Sequence, residues 1–147
     1  MSVIERERAE VLNRFAAVEA IEEVANPSSE EDMAKLEQAI GSLLNSLGPI
    51  RVSIAALLLD LSPHTVRTWA EEGVLLKAEH ERNSVAHVDP LRLHTVMHLA
   101  RKLRARGTQP NELMNQVWYR LQDRILMERE DLQESIGQWK RGETVKL

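Results

Sequence analysis

At 147 residues, 43% of them hydrophobic, the chain suits one domain with helical extensions; aromatics are only 3%, so aliphatic side chains must supply most of its core. With no cysteine it can hold no disulfide, thiolate metal site or cysteine nucleophile, it has no apolar run long enough to span a membrane, and its charged opening MSVIERERAE lacks a signal peptide's apolar stretch, so a cytoplasmic protein is expected. The net charge of −4 is unevenly placed: −6 over residues 1–50, +3 over 51–106 and −1 over 107–147, which puts the basic excess mid-chain, where a polyanion would need it.

Ser2-Val3-Ile4-Glu5 has the form of a capping box, in which serine and glutamate side chains each satisfy the other's backbone amide. A helix is predicted from there to about Val24, with Ile4, Val11, Phe15 and Val18 on one face and Ile21 beside them. Asn26-Pro27-Ser28-Ser29 breaks it. Ser29 with Asp32 starts a second helix, along which Met33, Leu36, Ile40, Leu43 and Leu47 alternate at three and four residues until Gly48-Pro49. Residues 1–49 should therefore form an antiparallel helical hairpin. Two readings stand: a pair packed on the central domain, or an arm for dimerisation or partner binding. Two long apolar stripes, more area than a small domain covers, favour the arm.

From Ser53 to Gly73 the pattern changes to two short helices joined by a tight turn. Ile54 to Leu59 is almost wholly apolar and must be buried. Ser62 stands at an N-cap and Pro63 at the first helical position, where its missing N–H costs nothing. The second helix ends at Gly73, suited to a left-handed C′ residue. Val66, Trp69 and Ala70 share a buried stripe, which leaves His64, Thr65, Arg67 and Thr68 outward. Arginine can bond a guanine edge through two N–H groups, and threonine or histidine can reach bases or phosphates. The pattern fits a helix-turn-helix whose second helix enters the major groove. It also fits an ordinary helical hairpin with a solvated face. Ser53 and Arg51, at the start of the first helix, are placed to meet a phosphate.

After Gly73, Val74-Leu75-Leu76 and Ser84-Val85-Ala86-His87-Val88 are expected as the two strands of a small wing. Lys77 to Asn83 would be its tip, with Lys77, Arg82 and Asn83 toward phosphate; a plain loop is the alternative. Asp89-Pro90 opens a helix with the core stripe Leu93, Val96, Met97, Ala100 and Leu103, and Gly107 stops it. His94 and His98 lie four apart on one face, where two imidazoles can share a metal. No carboxylate is fixed near them by spacing, so a solvated or phosphate-facing pair is expected and no metal is assigned.

Thr108-Gln109-Pro110-Asn111 begins the last long helix. Leu113, Val117, Leu121, Ile125 and Leu132 form its stripe, reaching to about Ile136, and Met114 and Trp118 widen it. The tail from Gln138 to Leu147 is short and mixed, and Trp139 has a place either in it or packed back on the helices.

Ser62-Pro63-His64-Thr65-Val66-Arg67-Thr68-Trp69, then Glu71-Glu72-Gly73-Val74-Leu75, resembles the MerR-type winged helix-turn-helix and its excisionase-like relatives. Asp89-Pro90-Leu91-Arg92-Leu93 and Leu103-Arg104-Ala105-Arg106-Gly107 match the ends of that family's next helix, so the likeness covers roughly residues 52–107. It implies DNA recognition by His64, Thr65, Arg67 and Thr68, with Ser53, Ser62, Lys77, Arg82 and Asn83 at the backbone. It also implies a homodimer paired through the last helix on a pseudo-palindromic operator. The hairpin ahead of residue 50 departs from the family, whose helix-turn-helix begins almost at once. The tail resembles the C-terminal extensions of type II antitoxins, which wrap a toxin.

No phosphate-cradling glycine loop and no nucleophile elbow is present, so no enzyme and no cofactor is expected. The expected fold is mainly α: a hairpin over 1–49, a winged helix-turn-helix core over 50–107, and a C-terminal dimerisation helix and tail over 108–147. The expected function is sequence-specific binding of double-stranded DNA in transcriptional regulation. An autoregulating antitoxin is one form of it, and a helical protein–protein interaction module without DNA binding is the alternative.

Overall fold

The computed structural model describes residues 2–78 and 84–140, with side chains as far as residue 126. Arg82 and Asn83, the rest of the expected wing tip and the tail from 141 lie outside the described residues, as do the side chains of Leu132, Ile136 and Trp139. The described chain is mainly helical. Helices α1 (Val3–Val24) and α2 (Glu30–Asn45) precede strand β1 (Ile50–Arg51). Then come α3 (Val52–Leu59), α4 (Pro63–Glu71), strand β2 (His87–Val88), α5 (Pro90–Ala105) and α6 (Pro110–Lys140). No helix among the described residues is long and apolar enough to cross a membrane.

Local chemistry sets most of the helix starts. Ser2 and Glu5 close the expected capping box, each side chain 3.1 Å from the other's amide nitrogen. Ser29 accepts from the Asp32 amide, Ser62 from that of Thr65 and Asp89 from that of Arg92. Proline stands in the first turn of α4 and of α5. Each such cap satisfies an amide that the helix itself leaves unpaired, and is worth about 1 kcal/mol.

Helix ends are closed from farther away. Arg14 of α1 donates to the Leu43 carbonyl in the last turn of α2 at 2.7 Å, and to Ser46 Oγ. Arg104 of α5 donates to the carbonyls of Leu59 and Asp60 at 2.6 and 3.2 Å, at the end of α3. Arg92, a few turns earlier on α5, reaches the Gly73 and Val74 carbonyls just past α4, at 3.4 and 3.3 Å. A guanidinium suits these positions, because its fork can serve two carbonyls and its charge opposes the negative end of the helix dipole. So α5 holds the C-terminal ends of both helices that make up the central hairpin.

The core is one cluster. Val11, Phe15 and Val18 of α1 and Ile40 and Leu44 of α2 belong to it. So do Ile54 and Leu59 of α3, Val66 and Trp69 of α4, Leu93, Val96, Met97, Ala100 and Leu103 of α5, and Leu113, Val117 and Leu121 of α6. The α5 stripe is the expected one throughout. The α2 stripe is not: Leu44 is fully buried while Leu43 is 38% exposed, so this helix turns its 36–40–44 line inward. On α1, Ile4 is 52% and Ile21 37% exposed, leaving Val11, Phe15 and Val18 as the inward face. The hairpin's inward residues thus share a core with the central helices.

The wing differs from expectation in its strands. Val74 and Leu75 are buried and both direct their amides to the Trp69 carbonyl, at 2.9 and 3.2 Å, closing the end of α4. The return strand β2 pairs antiparallel with β1, Ile50 opposite Val88 and Arg51 opposite His87. On its other side a single bridge joins Lys77 to Val88, beside a 3.2 Å bond from the Ala78 amide to the His87 carbonyl. The first strand of the expected pair therefore moves two to three residues onward, and the segment ahead of α3 supplies the main partner.

Candidate functional site

Two groups of polar side chains stand apart from the core. The first surrounds α4. Asp60 takes a left-handed conformation (φ 55°, ψ 48°), one that aspartate tolerates better than most residues, and ends α3 there. The turn runs through Leu61 to the Ser62 cap. At the far end Gly73 has φ 84°, and a Cβ there would stand 3.5 Å from the Trp118 ring. A side chain at this position would be strained in its backbone. Between these ends Val66, Trp69 and Ala70 are buried, while His64 and Arg67 are exposed and Thr65 and Thr68 half-buried.

The short stretch Val85–Val88 brings the surroundings of α4 together. Arg67 Nε donates to the Val85 carbonyl at 3.2 Å. The Val52 amide, first in α3, donates to the Ala86 carbonyl at 2.9 Å. Lys77 bridges to Val88. Arg67, the N-terminus of α3 with exposed Ser53, and exposed Lys77 thus all attach to one strip of backbone, Lys77 on the edge opposite to β1. Among the described residues no side chain caps the first turn of α3; its first amide, Val52, is held by Ala86, and the amides that follow it face solvent or a ligand.

The other expected contacts are more self-contained. Ser62 Oγ accepts from the Thr65 amide and lies 2.8 Å from Thr65 Oγ1. Thr68 Oγ1 donates back to the His64 carbonyl at 3.2 Å. The hydroxyls of Ser62, Thr65 and Thr68 thus have local partners, leaving His64 and Arg67 as the most outward groups of the set. Arg51, expected near a phosphate, instead places its Nε 2.9 and 3.0 Å from the carboxylate oxygens of Glu7 and ties α3 to α1.

The second group lies on the seam between α1 and α5. His94 and His98, one turn apart on α5, both aim Nε2 at Glu22 Oε1, at 2.9 and 3.2 Å. The two Nε2 atoms are 3.1 Å apart and the rings meet edge to face, centroids 4.6 Å apart. These distances correct the expected solvated pair: a carboxylate from the first helix stands against both rings. Phe15 flanks His94, ring centroids 6.3 Å apart. One turn on, Arg101 Nη1 meets Glu19 Oε1 at 2.6 Å, a second ion pair across the same seam. Burial acts to raise the Glu22 pKa. The hydrogen bond from His94 and the positive charge available on His98 and His94 outweigh it and hold Glu22 below its ordinary 4.5.

The triad opens onto a cleft of about 860 Å³ between α1, α2, α5 and α6. Ile40, Leu44 and Leu91 give it apolar wall, and Glu37, Lys102, Arg120, Asp123 and Arg124 give it charge of both signs. Sequence reading missed Glu22, because seventy-two residues separate it from His94 and its spacing from its neighbours on α1 marks nothing. It also missed the capping by Arg14, Arg92 and Arg104. Comparison of the chain with known protein families, with curated proteins and with solved structures finds no match.

Proposed function

We propose that this chain binds double-stranded DNA sequence-specifically and regulates transcription, with α4 as the element that enters the major groove. The observation that carries this reading is the strip at Val85–Val88. Exposed Arg67 bonds to it at Val85, the start of α3 with Ser53 at Ala86 and exposed Lys77 at Val88, beside a helix anchored by Trp69. The nine residues of α4 span about 13 Å, close to the width of the groove. Arg67 and His64 read base edges. Thr65 and Thr68 keep free lone pairs after their local bonds and contact the same bases or their phosphates. Ser53, Lys77, Arg82 and Asn83 hold the backbone, with the amides at the start of α3 giving a phosphate a positive end to meet. A dimer through α6 on a pseudo-palindromic site doubles the +3 charge of the central segment and completes the reading.

Selection of bound sequences from a randomised duplex pool by the full-length chain, followed by anisotropy titration, tests it. The expected result is an enriched motif bound with a steep salt dependence. Arg67→Ala should lose about 1–3 kcal/mol on that motif, roughly five- to 150-fold, with an unchanged circular dichroism spectrum. If the folded protein enriches nothing and retards no duplex even at low salt, the reading is wrong.

One observation favours a second reading. Val3, Ile4 and Val24 on α1 are 71%, 52% and 82% exposed, and Met33 on α2 is 43% exposed. A partner protein docking on the hairpin would cover them, and in the antitoxin version of this reading that partner is a toxin. Co-purification of a stoichiometric partner with the native protein, lost on Ile4→Asp but not on Arg67→Ala, separates this reading from the first.

A further inference from the structure

We propose that Glu22, His94 and His98 form a binding site for a single divalent first-row transition ion of the zinc class. Three donor atoms from two helices, all half-buried, converge on one point. Glu22 Oε1, His94 Nε2 and His98 Nε2 make a triangle with sides of 2.9, 3.2 and 3.1 Å, and the group satisfies the spacing expected of metal-binding residues.

Hydrogen bonding alone does not account for that triangle. An imidazole nitrogen offers one in-plane direction, used either by an N–H or by a lone pair. If both Nε2 atoms carry protons for Glu22, two donors face each other at 3.1 Å with nothing between them. If one ring donates to the other, its single Nε2–H is used and the accepting Nε2 carries a lone pair, so neither is left to donate to the carboxylate. A cation above the triangle resolves the conflict, since all three atoms then present lone pairs to the same centre. Zinc–nitrogen and zinc–oxygen bonds of about 2.0–2.2 Å put neighbouring ligands roughly 3.3–3.5 Å apart in a tetrahedral site. The same bonds at right angles, as in an octahedral site, put them about 3.0 Å apart. The observed sides lie at the octahedral value or a few tenths of an ångström below the tetrahedral one, so side-chain rotation alone closes the difference.

The donor set selects the ion. Two imidazoles and one carboxylate suit zinc, iron, nickel or copper. Magnesium and calcium prefer an all-oxygen shell. The two histidines lie at i and i+4, so α5 holds them as a rigid pair, and Glu22 is brought in by the packing of α1. The side chains of His94, His98 and Glu22 are 17%, 34% and 28% exposed. The triad faces the cleft, which leaves the remaining coordination positions open to water or to a small ligand entering between α2 and α6. An ion here would pin α1 to α5, the helix whose Arg92 and Arg104 hold the ends of α4 and α3.

The test uses the full chain without a histidine tag, stripped with a chelator. Zinc is then titrated in against a chromophoric competitor, and melting is followed in parallel. One equivalent should be retained, and the melting temperature should rise with zinc and fall again on chelation. Glu22→Gln and His98→Gln, each checked for native circular dichroism, should weaken retention by at least about tenfold, the smallest loss seen even for residues that only support a ligand. They should also abolish the zinc-dependent rise in melting temperature. Failure of the parent chain to retain zinc overturns the site, as does equal retention by both variants.

Discussion

The central hairpin of α3 and α4 and the seam between α1 and α5 are built in opposite ways. The turns and caps of the hairpin lie between Ser53 and Gly73: an αL aspartate, a serine cap, a first-turn proline, a buried tryptophan and a left-handed glycine, with Arg92 and Arg104 of α5 added at its helix ends. Its polar side chains bond to residues three or four positions away, or to the strip at Val85, and the rest of their capacity faces outward. The seam depends instead on partners seventy-two and seventy-six residues apart, and its polar groups face one another. The hairpin presents an unfinished surface that suits a large external partner. The seam presents a nearly closed set of donors that suits a small one.

Trp69→Ala should have the largest effect. The ring is 3% exposed in the shared core, and its loss should cost about 3–5 kcal/mol in urea unfolding. If the hairpin is as self-contained as its local bonds imply, the seam should outlast it in partly unfolded states. Hydrogen exchange should then show early opening of α4 while α5 amides stay protected. Equal loss across α4 and α5 would mean that the two regions are one cooperative unit.

Arg104→Ala should have the next largest effect. It removes the long-range cap on the Leu59 and Asp60 carbonyls and should cost about 1–2 kcal/mol, measured the same way. Arg104→Lys should recover only part of this, since an ammonium is a point donor and cannot fork across two carbonyls. This substitution joins the two regions, because it sits on the helix of the seam and acts on the hairpin. If the proposed DNA binding holds, a loss of affinity larger than the loss of stability predicts would show that α5 sets the angle between α3 and α4.

What could be read from the sequence follows the same division. Caps and stops were legible because each depends on residues within a few positions, as at Ser2 with Glu5, Ser62, and Asp89 with Pro90. The α5 stripe was legible because a helix packed on several neighbours must bury a broad face, and few rotations achieve that. Helix α2 was misread by one residue. Leu43 and Leu44 are equally apolar, and docking against α1 and α5 rather than periodicity decides which of them turns inward. The wing was displaced because Val74 and Leu75 look like a strand in composition, whereas the end of α4 needed their amides for the Trp69 carbonyl. Glu22 could not be read at all. One glutamate among the many on α1 becomes distinctive only after the fold sets it against His94.

The pH dependence of the seam should be the smallest effect, and it gives the comparison a sign. Glu22 is held below its ordinary pKa of 4.5 in the folded chain. The folded state therefore binds fewer protons than the unfolded one in this range, and stability should rise with pH. The contribution is fully present above 4.5 and is lost as pH falls through the lowered folded value, where the carboxyl finally protonates. Unfolding of the parent and of Glu22→Gln, both in chelator, should differ just above 4.5 and converge in acid, since a protonated glutamate and a glutamine offer the seam similar groups. Arg67→Ala, whose side chain belongs to the hairpin, should follow the parent across the same range. If the Glu22→Gln gap stays constant down to strong acid, the carboxylate's charge contributes nothing to the seam, and Glu22 acts there only through its shape and packing.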